Sequence, residues 1–291
     1  MQDILRNNAE DKQQARAWAF GLGLTAYISI VMMLGGSGGD EVETDMILQM
    51  DPVFLLAIQG IASTFMFVGV PLLFIGIALK VPIREFFPNV SWTTAGLTIL
   101  ISISFMVVNS AIGEWNMNLD FGNSDFAEWA RRSEDQLKVL TEHLTDFTST
   151  SHFILALVVV AIIPAIGEEL LFRGLIQNMF TKAFANPHIA IWITGFIFAA
   201  IHMQFFGVMP RMLLGVLFGY LYHWSGKLSV AMIGHLVNNG LALIAIYLAQ
   251  KDVVEVSPEQ MEQAAPWPAV LVFAAISFFL IRAFYKKFQH A

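Results

Sequence analysis

The chain has 291 residues, of which 56% are hydrophobic and only 13% charged, and it carries a formal net charge of −7. Soluble domains are about 45–50% apolar and about 25% charged, so this chain has too few charges to cover a soluble globule. The same numbers exclude a disordered chain, a collagen and a disulfide scaffold. Its apolar residues form continuous runs of roughly 20, which predicts an all-α bundle of membrane-spanning helices and argues against an alternating β-barrel.

The absence of cysteine and the placement of the charges exclude further classes of site and partner. A chain without cysteine has no thiol nucleophile, no disulfide and no thiolate metal site. The charges are mostly acidic and lie mostly in loops, which argues against a nucleic-acid partner. The first apolar run is not followed by a convincing signal-peptidase site, so we expect it to be retained as a helix.

Eight apolar segments predict about eight transmembrane helices: 15–35, 52–79, 93–115, 151–180, 187–206, 208–224, 228–250 and 267–285. The fourth is too long for a simple crossing, so we expect it to project into water or to break near Pro164. The fifth and sixth are short and separated by little more than Gly207, which allows a tilted or reentrant pair.

The segments divide the chain into three parts. Residues 1–150 hold the first helices and a loop over 116–150, residues 151–250 the expected catalytic core, and residues 251–291 a loop and the last helix. The loop has apolar residues at roughly helical spacing, which predicts an amphipathic helix on the membrane interface. Those residues are Phe126, Trp129, Leu137, Leu140 and Leu144.

The distribution of lysine and arginine predicts the orientation, since these residues are enriched in cytoplasmic loops. With a cytoplasmic N-terminus and alternating spans, the inner side receives eleven of them and the outer side five. The outer five are Arg131, Arg132, Lys138, Arg211 and Lys251. We therefore expect a multi-pass membrane protein in contact with lipid, with both termini in the cytoplasm and the 116–150 loop outside.

Three predicted spans carry polar groups where lipid would be expected. The fourth contains Glu168, Glu169 and Arg173, the fifth His202, which follows Phe198 by four residues, and the seventh His235 and Asn239. Such groups are costly inside a bilayer, so they usually pair, line a cavity or do chemistry. Each has a structural alternative when taken alone, as an ion pair or as hydrogen bonds between helices. Their presence together favours a functional site.

Helix geometry assigns a role to each group. Glu169 and Arg173 are four residues apart on one face, the spacing of an ion pair, whereas Glu168 is rotated by about 100° from Glu169. One carboxylate is then neutralised and the other is available as a general base. His235 and Asn239 are also four apart, so their N–H groups form a donor pair suited to an oxyanion.

The predicted depths of these groups agree with a single site. Counted from the inner helix ends at 1.5 Å per residue, Glu168 lies about 18 Å deep, His202 about 22 Å, Asn239 about 16 Å and His235 about 10 Å. Three helices thus bring their polar groups within roughly two turns of one another, so the groups can converge on one cavity.

The three stretches together resemble the CAAX protease and bacteriocin-processing family, which includes the type II CAAX prenyl endopeptidases. The family pattern is Glu-Glu-x-x-x-Arg, then Phe-x-x-x-His, then His-x-x-x-Asn, and the chain matches it at every motif position over 150–250. The resemblance implies a glutamate-dependent intramembrane peptidase with a helical core open to the cytosol. It implies that Glu168 and His202 activate water.

The same resemblance implies roles for the remaining motif residues. His235 and Asn239 would stabilise the oxyanion, and Glu169 and Arg173 would form a supporting ion pair. Separately from the resemblance, Phe198 and His202 are four residues apart, so we expect the Phe198 ring to position the imidazole. The substrate would be a peptide or protein, lipidated or embedded in the membrane, and no cofactor would be needed.

The sequence leaves other interpretations of its function open. Glu168, His202 and His235 could bind zinc, as two histidines and a carboxylate do in some peptidases, although the His-Glu-x-x-His motif is absent. A serine peptidase is disfavoured because serine occurs only at the margins of the motif spans. Some members of the family are thought to act as bacteriocin-immunity proteins or membrane scaffolds. A proton-relaying transporter would use the carboxylates and histidines but has no use for Asn239.

The orientation can be tested with a single cysteine at Ser124, since the chain has no native cysteine. We expect Ser124→Cys to react with a membrane-impermeant thiol reagent in intact cells, because the loop 116–150 is predicted to lie outside. Labelling is measured as a mass shift on gels before and after cell lysis. Labelling that appears only after lysis would reverse the predicted orientation.

Overall fold

The protein is seen here in a computed structural model that describes residues 41–79, 82–255, 260 and 263–289, and every regular element in that part is helical. The helices are α1 (Glu41–Leu48), α2 (Pro52–Ile77), α3 (Trp92–Met117), α4 (Asp125–Thr145), α5 (Thr150–Phe184), α6 (Pro187–Ala200), α7 (Val208–Ser225), α8 (Leu228–Gln250) and α9 (Trp267–Gln289). Short 3₁₀ turns cover Ile83–Phe86 and Phe205–Gly207. The predicted all-α bundle is confirmed.

The chain is an integral, multi-pass membrane protein. Among the described residues six helices are long and apolar enough to cross a bilayer, namely α2, α3, α5, α8, α9 and the segment Phe205–Ser225 that contains α7. The predicted count of eight is not confirmed. The predicted first span, 15–35, lies outside the described residues. The predicted fifth span is only the helix α6, whose 14 residues reach about 21 Å and are too short for a full hydrocarbon core.

The fourth predicted span is one continuous helix rather than a broken one. α5 runs for 35 residues and contains two π-helical stretches, Leu157–Ile162 and Leu170–Gln177. Pro164 follows the first of these within the first turn of the next α-helical stretch. A proline removes an N–H donor and crowds the preceding turn, and a wider π turn accommodates both effects without a break.

α5 passes through the middle of the bundle and packs closely against α2. At Gly167 a Cβ atom would lie 2.6 Å from the Cβ of Phe67 and 3.0 Å from its carbonyl carbon. Only a glycine leaves room for this approach. The contact fixes the helix immediately before Glu168 and Glu169, and so sets the direction in which both carboxylates point.

The predicted helix of the 116–150 loop is present as α4. Ser124 caps its N-terminus by accepting a hydrogen bond from the Ala127 N–H. The rings of Phe126 and Trp129 pack edge-on against Phe205, in the turn that follows α6.

The same turn is tied to the end of α3. Asn116 Nδ2 donates to the Phe205 carbonyl over 3.2 Å, and its Oδ1 accepts from the Met209 N–H over 2.7 Å. The end of α3, the helix α4 and the α6–α7 turn therefore lie at one end of the bundle, which is called the α4 end below.

Candidate active site

Glu169 and Arg173 form an ion pair without any exposed surface. Arg173 Nη1 donates to Glu169 Oε1 over 2.7 Å, and both side chains are fully buried. The second amino group, Nη2, donates to the Gly215 carbonyl of α7 over 2.8 Å. The guanidinium also lies over the Phe198 ring, 5.0 Å from its centroid. The pair thus connects α5 with α6 and α7.

Two glycines of α7 receive side chains from α5. Arg173 donates to the Gly215 carbonyl, and one turn later Gln177 Nε2 donates to the Gly219 carbonyl over 3.1 Å. A Cβ at Gly219 would lie 2.8 Å from Gln177 Oε1. The four-residue spacing of Gly215 and Gly219 thus allows α5 side chains to reach the α7 backbone.

His235 joins the same pair from α8. Its Nδ1 lies 2.8 Å from Glu169 Oε1, the oxygen that also accepts from Arg173. Because a carboxylate that already receives an arginine acts as an acceptor, Nδ1 carries the hydrogen. The imidazole stacks on Phe218 with ring centroids 5.6 Å apart. This leaves Nε2 facing Glu168, 3.9 Å from its Oε2.

Glu168 occupies a different environment from Glu169. Its side chain keeps 14% of its surface exposed, whereas that of Glu169 keeps none. It faces a cavity of about 640 Å³ between the helices. The cavity is lined by Gln59, Ser63, Met66, Phe67, Thr141, Thr145, Val159, Val160, Pro164, Glu168, Phe198, Ile201, His202, Arg211, Leu214, Phe218, His235, Asn238, Asn239, Ala242, Leu243 and Ile246.

His202 lines this cavity from the turn that follows α6. The helix ends at Ala200, so His202 is not within it. Its Nδ1 lies 2.7 Å from the Phe198 carbonyl. A carbonyl only accepts, so Nδ1 is the donor and Nε2 of the neutral ring has a free lone pair. The Phe198 ring packs edge-on against the imidazole at 5.1 Å.

Asn239 lines the cavity but is already hydrogen-bonded. Its Nδ2 donates to the Val160 carbonyl over 3.1 Å, and its Oδ1 accepts from Asn238 over 3.1 Å. Val160 belongs to the first π-helical stretch of α5, and Asn239 thereby ties α8 to that stretch. One hydrogen of an amide NH₂ group remains for another acceptor.

The structure thus brings Glu168, Phe198, His202, His235 and Asn239 to one cavity, with Glu169 and Arg173 buried beside it. The sequence did not predict the His235–Glu169 hydrogen bond. It also did not predict that Arg211 lines the cavity. Arg211 is a charge within the predicted span 208–224, and that signal alone would have identified it as a candidate.

The cavity extends toward the α4 end. Thr141 and Thr145 of α4 form part of its lining. On the other side of Glu168, the bundle is filled by buried apolar side chains such as Leu170, Phe172 and Leu221. The predicted orientation has α4 outside the cell, whereas the family resemblance implies a core open to the cytosol. If the cavity opens at the α4 end these two expectations conflict, and labelling at Ser124 decides between them.

A zinc site would require several ligand side chains grouped around one point. In the described part of the chain, no three histidine, aspartate or glutamate side chains are grouped as ligands of one ion. Metal dependence is a question for direct measurement.

Comparison with known proteins agrees with the motifs. Residues 150–241, about a third of the chain, match the family model described as "Type II CAAX prenyl endopeptidase Rce1-like". This segment is similar to that family. The match contains every candidate residue discussed above, from Glu168 to Asn239, and the family resemblance inferred from the three motifs is confirmed for it.

A curated relative also aligns with part of the chain. The uncharacterized protein YpbD of Bacillus subtilis (strain 168) is 29% identical over 85 residues, which cover 28% of this chain and 40% of YpbD. The chain thus spans less than half the length of that relative. No solved structure matches the chain significantly.

Removing one partner of the buried pair is expected to damage folding. Arg173→Ala strands the Glu169 carboxylate in an apolar surrounding, which costs about 3–5 kcal/mol for a buried pair. We expect lower yield in detergent and a lower Tm, measured by thermal unfolding of the purified protein. Lys182→Ala is the matched control, since Lys182 lies exposed near the end of the same helix. An Arg173→Ala protein as stable as the control would show that the pair does not support the fold.

Proposed function

We propose that the protein is an intramembrane peptidase in which Glu168 is the general base that activates a water molecule. The observation that carries the proposal is the difference between the two adjacent carboxylates. Glu169 is hydrogen-bonded to Arg173 and His235, whereas Glu168 has no arginine within hydrogen-bond distance among the described residues and faces a cavity. A positioned carboxylate of this kind can accept a proton from water.

The two histidines complete the proposed reaction. A water between Glu168 and His202 would donate one hydrogen to Glu168 and the other to the free Nε2 of His202. As the water oxygen attacks the peptide carbonyl, its proton passes to Glu168, and Glu168 then gives that proton to the leaving amine. The carbonyl oxygen becomes an oxyanion that needs a donor.

His235 and Asn239 are the proposed oxyanion donors. His235 can donate through Nε2 only as an imidazolium, because Nδ1 already binds Glu169. Asn239 would use the one amide hydrogen that Val160 does not occupy.

The cavity supports a peptide or protein substrate with apolar residues. Most of its lining is apolar and includes Met66 and Phe67 of α2 and Leu243 and Ile246 of α8. The name of the matching family model, a CAAX prenyl endopeptidase, indicates that its members cleave prenylated proteins. We include prenylated proteins in the proposed substrate class. Membrane lipids would surround the bundle as solvent.

The role of Glu168 is tested by Glu168→Gln, which keeps the shape of the side chain and removes its basicity. We expect hydrolysis to fall to near background while the Tm stays close to that of the wild type. The assay uses purified protein with a library of prenylated and unprenylated C-terminal peptides, read by mass spectrometry. Glu128→Gln, on the exposed surface of α4, is the control. A Glu168→Gln protein that cleaves at the wild-type rate would remove the peptidase role of this site, and a wild type that cleaves no peptide would favour a scaffold.

Metal independence is tested separately. Since water activation is assigned to Glu168 and His202, we expect hydrolysis to persist in excess EDTA or 1,10-phenanthroline. The measurement compares initial rates before and after chelation and after adding zinc back. Activity that is lost on chelation and restored by zinc would make Glu168 a metal ligand rather than the base.

A further inference from the structure

Arg211 is a second arginine of the Rce1-like segment, and its surroundings differ from those of Arg173. It lies in the first turn of α7 and lines the cavity together with Glu168 and His202. Among the described residues that line the cavity it is the only lysine or arginine. A cation inside a bilayer usually pairs, binds a ligand or does chemistry, and Arg211 has no role in the reaction proposed above.

The guanidinium of Arg211 is held in place by a hydrogen bond, but one of its amino groups is left for a ligand. Its Nη2 donates to Gln204 Oε1, and Gln204 Nε2 in turn donates to Glu134 Oε1 of α4 over 3.1 Å. The side chain lies against Gly207, where a Cβ atom would collide with the guanidinium. Nη1 is buried and has no hydrogen-bond partner in the part of the chain that the structure describes. A buried donor without a partner is costly, and a ligand that accepts from it removes that cost.

We propose that Arg211 binds a carboxylate of the substrate and thereby selects negatively charged peptides. The planar fork of a guanidinium matches the two oxygens of a carboxylate better than any other side chain does. Arg211 also lies at the N-terminal end of α7, where the helix dipole adds positive potential. The other arginine near the cavity, Arg173, is occupied by Glu169.

The carboxylate could come from two sources, the C-terminal α-carboxylate or an acidic side chain. Because Arg211 and Glu168 line the same cavity, the charged group would lie within a few residues of the bond that is cleaved. This inference rests on the proposed function for its substrate class, but binding can be measured without catalysis.

The experiment measures binding of four peptides to full-length protein carrying Glu168→Gln, in detergent. The first pair is acetyl-Leu-Leu-Leu as free acid and as amide, and the second is acetyl-Leu-Glu-Leu amide and acetyl-Leu-Gln-Leu amide. We expect one charged peptide to bind about 10- to 100-fold more tightly than its neutral partner, the range for hydrogen bonds to charged groups. The pair that shows the preference identifies the source of the carboxylate.

The preference should depend on Arg211 alone. Adding Arg211→Gln should reduce the charged-to-neutral ratio to about one, with little change for the neutral peptide, while Arg211→Lys should retain part of it. Arg131→Gln is the matched control, because Arg131 lies on α4 at the same end of the bundle and pairs with Asp120 at the surface. A purely structural role of Arg211 would weaken both members of a pair equally.

Three results would overturn the proposal: absence of binding, equal affinity within both pairs, or a preference that survives Arg211→Gln. Hydrolysis by protein with an intact Glu168 is measured in parallel. Charge-dependent binding without hydrolysis would contradict the peptidase and leave the Arg211 site standing. Hydrolysis without a charge preference in binding would support the peptidase and contradict the Arg211 site.

Discussion

The rest of the candidate site depends on an ion pair that water does not reach. Glu169 and Arg173 are both fully buried, so the cost of removing two charges from water must be offset by good geometry and further hydrogen bonds. The structure supplies them from other helices, through the Gly215 carbonyl of α7 and the Nδ1 atom of His235 on α8. Because each contact uses a fixed atom, the pair sets the relative positions of α5, α7 and α8. The close approach of α2 at Gly167 restrains the same helix from the other side.

This arrangement separates the roles of two identical side chains that are adjacent in the chain. A helix directs consecutive residues about 100° apart, so only one of the two carboxylates can meet the arginine one turn later. Glu169 becomes a buried acceptor that orients an imidazole, and Glu168 faces the cavity. Enzymes commonly use two like carboxylates in this way, with the environment of each deciding its task. The proposed peptidase mechanism follows from that difference rather than from the presence of the carboxylates alone.

The features of the fold and the site that the sequence could predict are those that depend on local periodicity. Apolar runs predicted the helices, four-residue spacing placed Glu169 beside Arg173, and counting along the helices brought three polar stretches to one depth. Contacts between helices depend on how each helix is rotated, and a single sequence does not reveal that rotation. The His235–Glu169 hydrogen bond is one such contact, and the bond from Asn239 to Val160 is another. The number of spans was also not confirmed, because the helix of 187–206 ends at Ala200 and the segment 15–35 lies outside the described residues.

We infer that the buried pair serves the reaction by orienting His235, in addition to supporting the fold. The double variant Glu169→Met/Arg173→Met tests it most directly, since replacing both charges with apolar side chains of similar size is often neutral for stability. Thermal unfolding and peptide hydrolysis are measured on the same purified protein. We expect a folded protein that is more stable than Arg173→Ala alone. Its kcat/KM should fall by about 100-fold or more, as when a buried carboxylate behind a catalytic histidine is lost. A folded double variant that hydrolyses peptides at the wild-type rate would show that the pair does not orient His235 for the reaction.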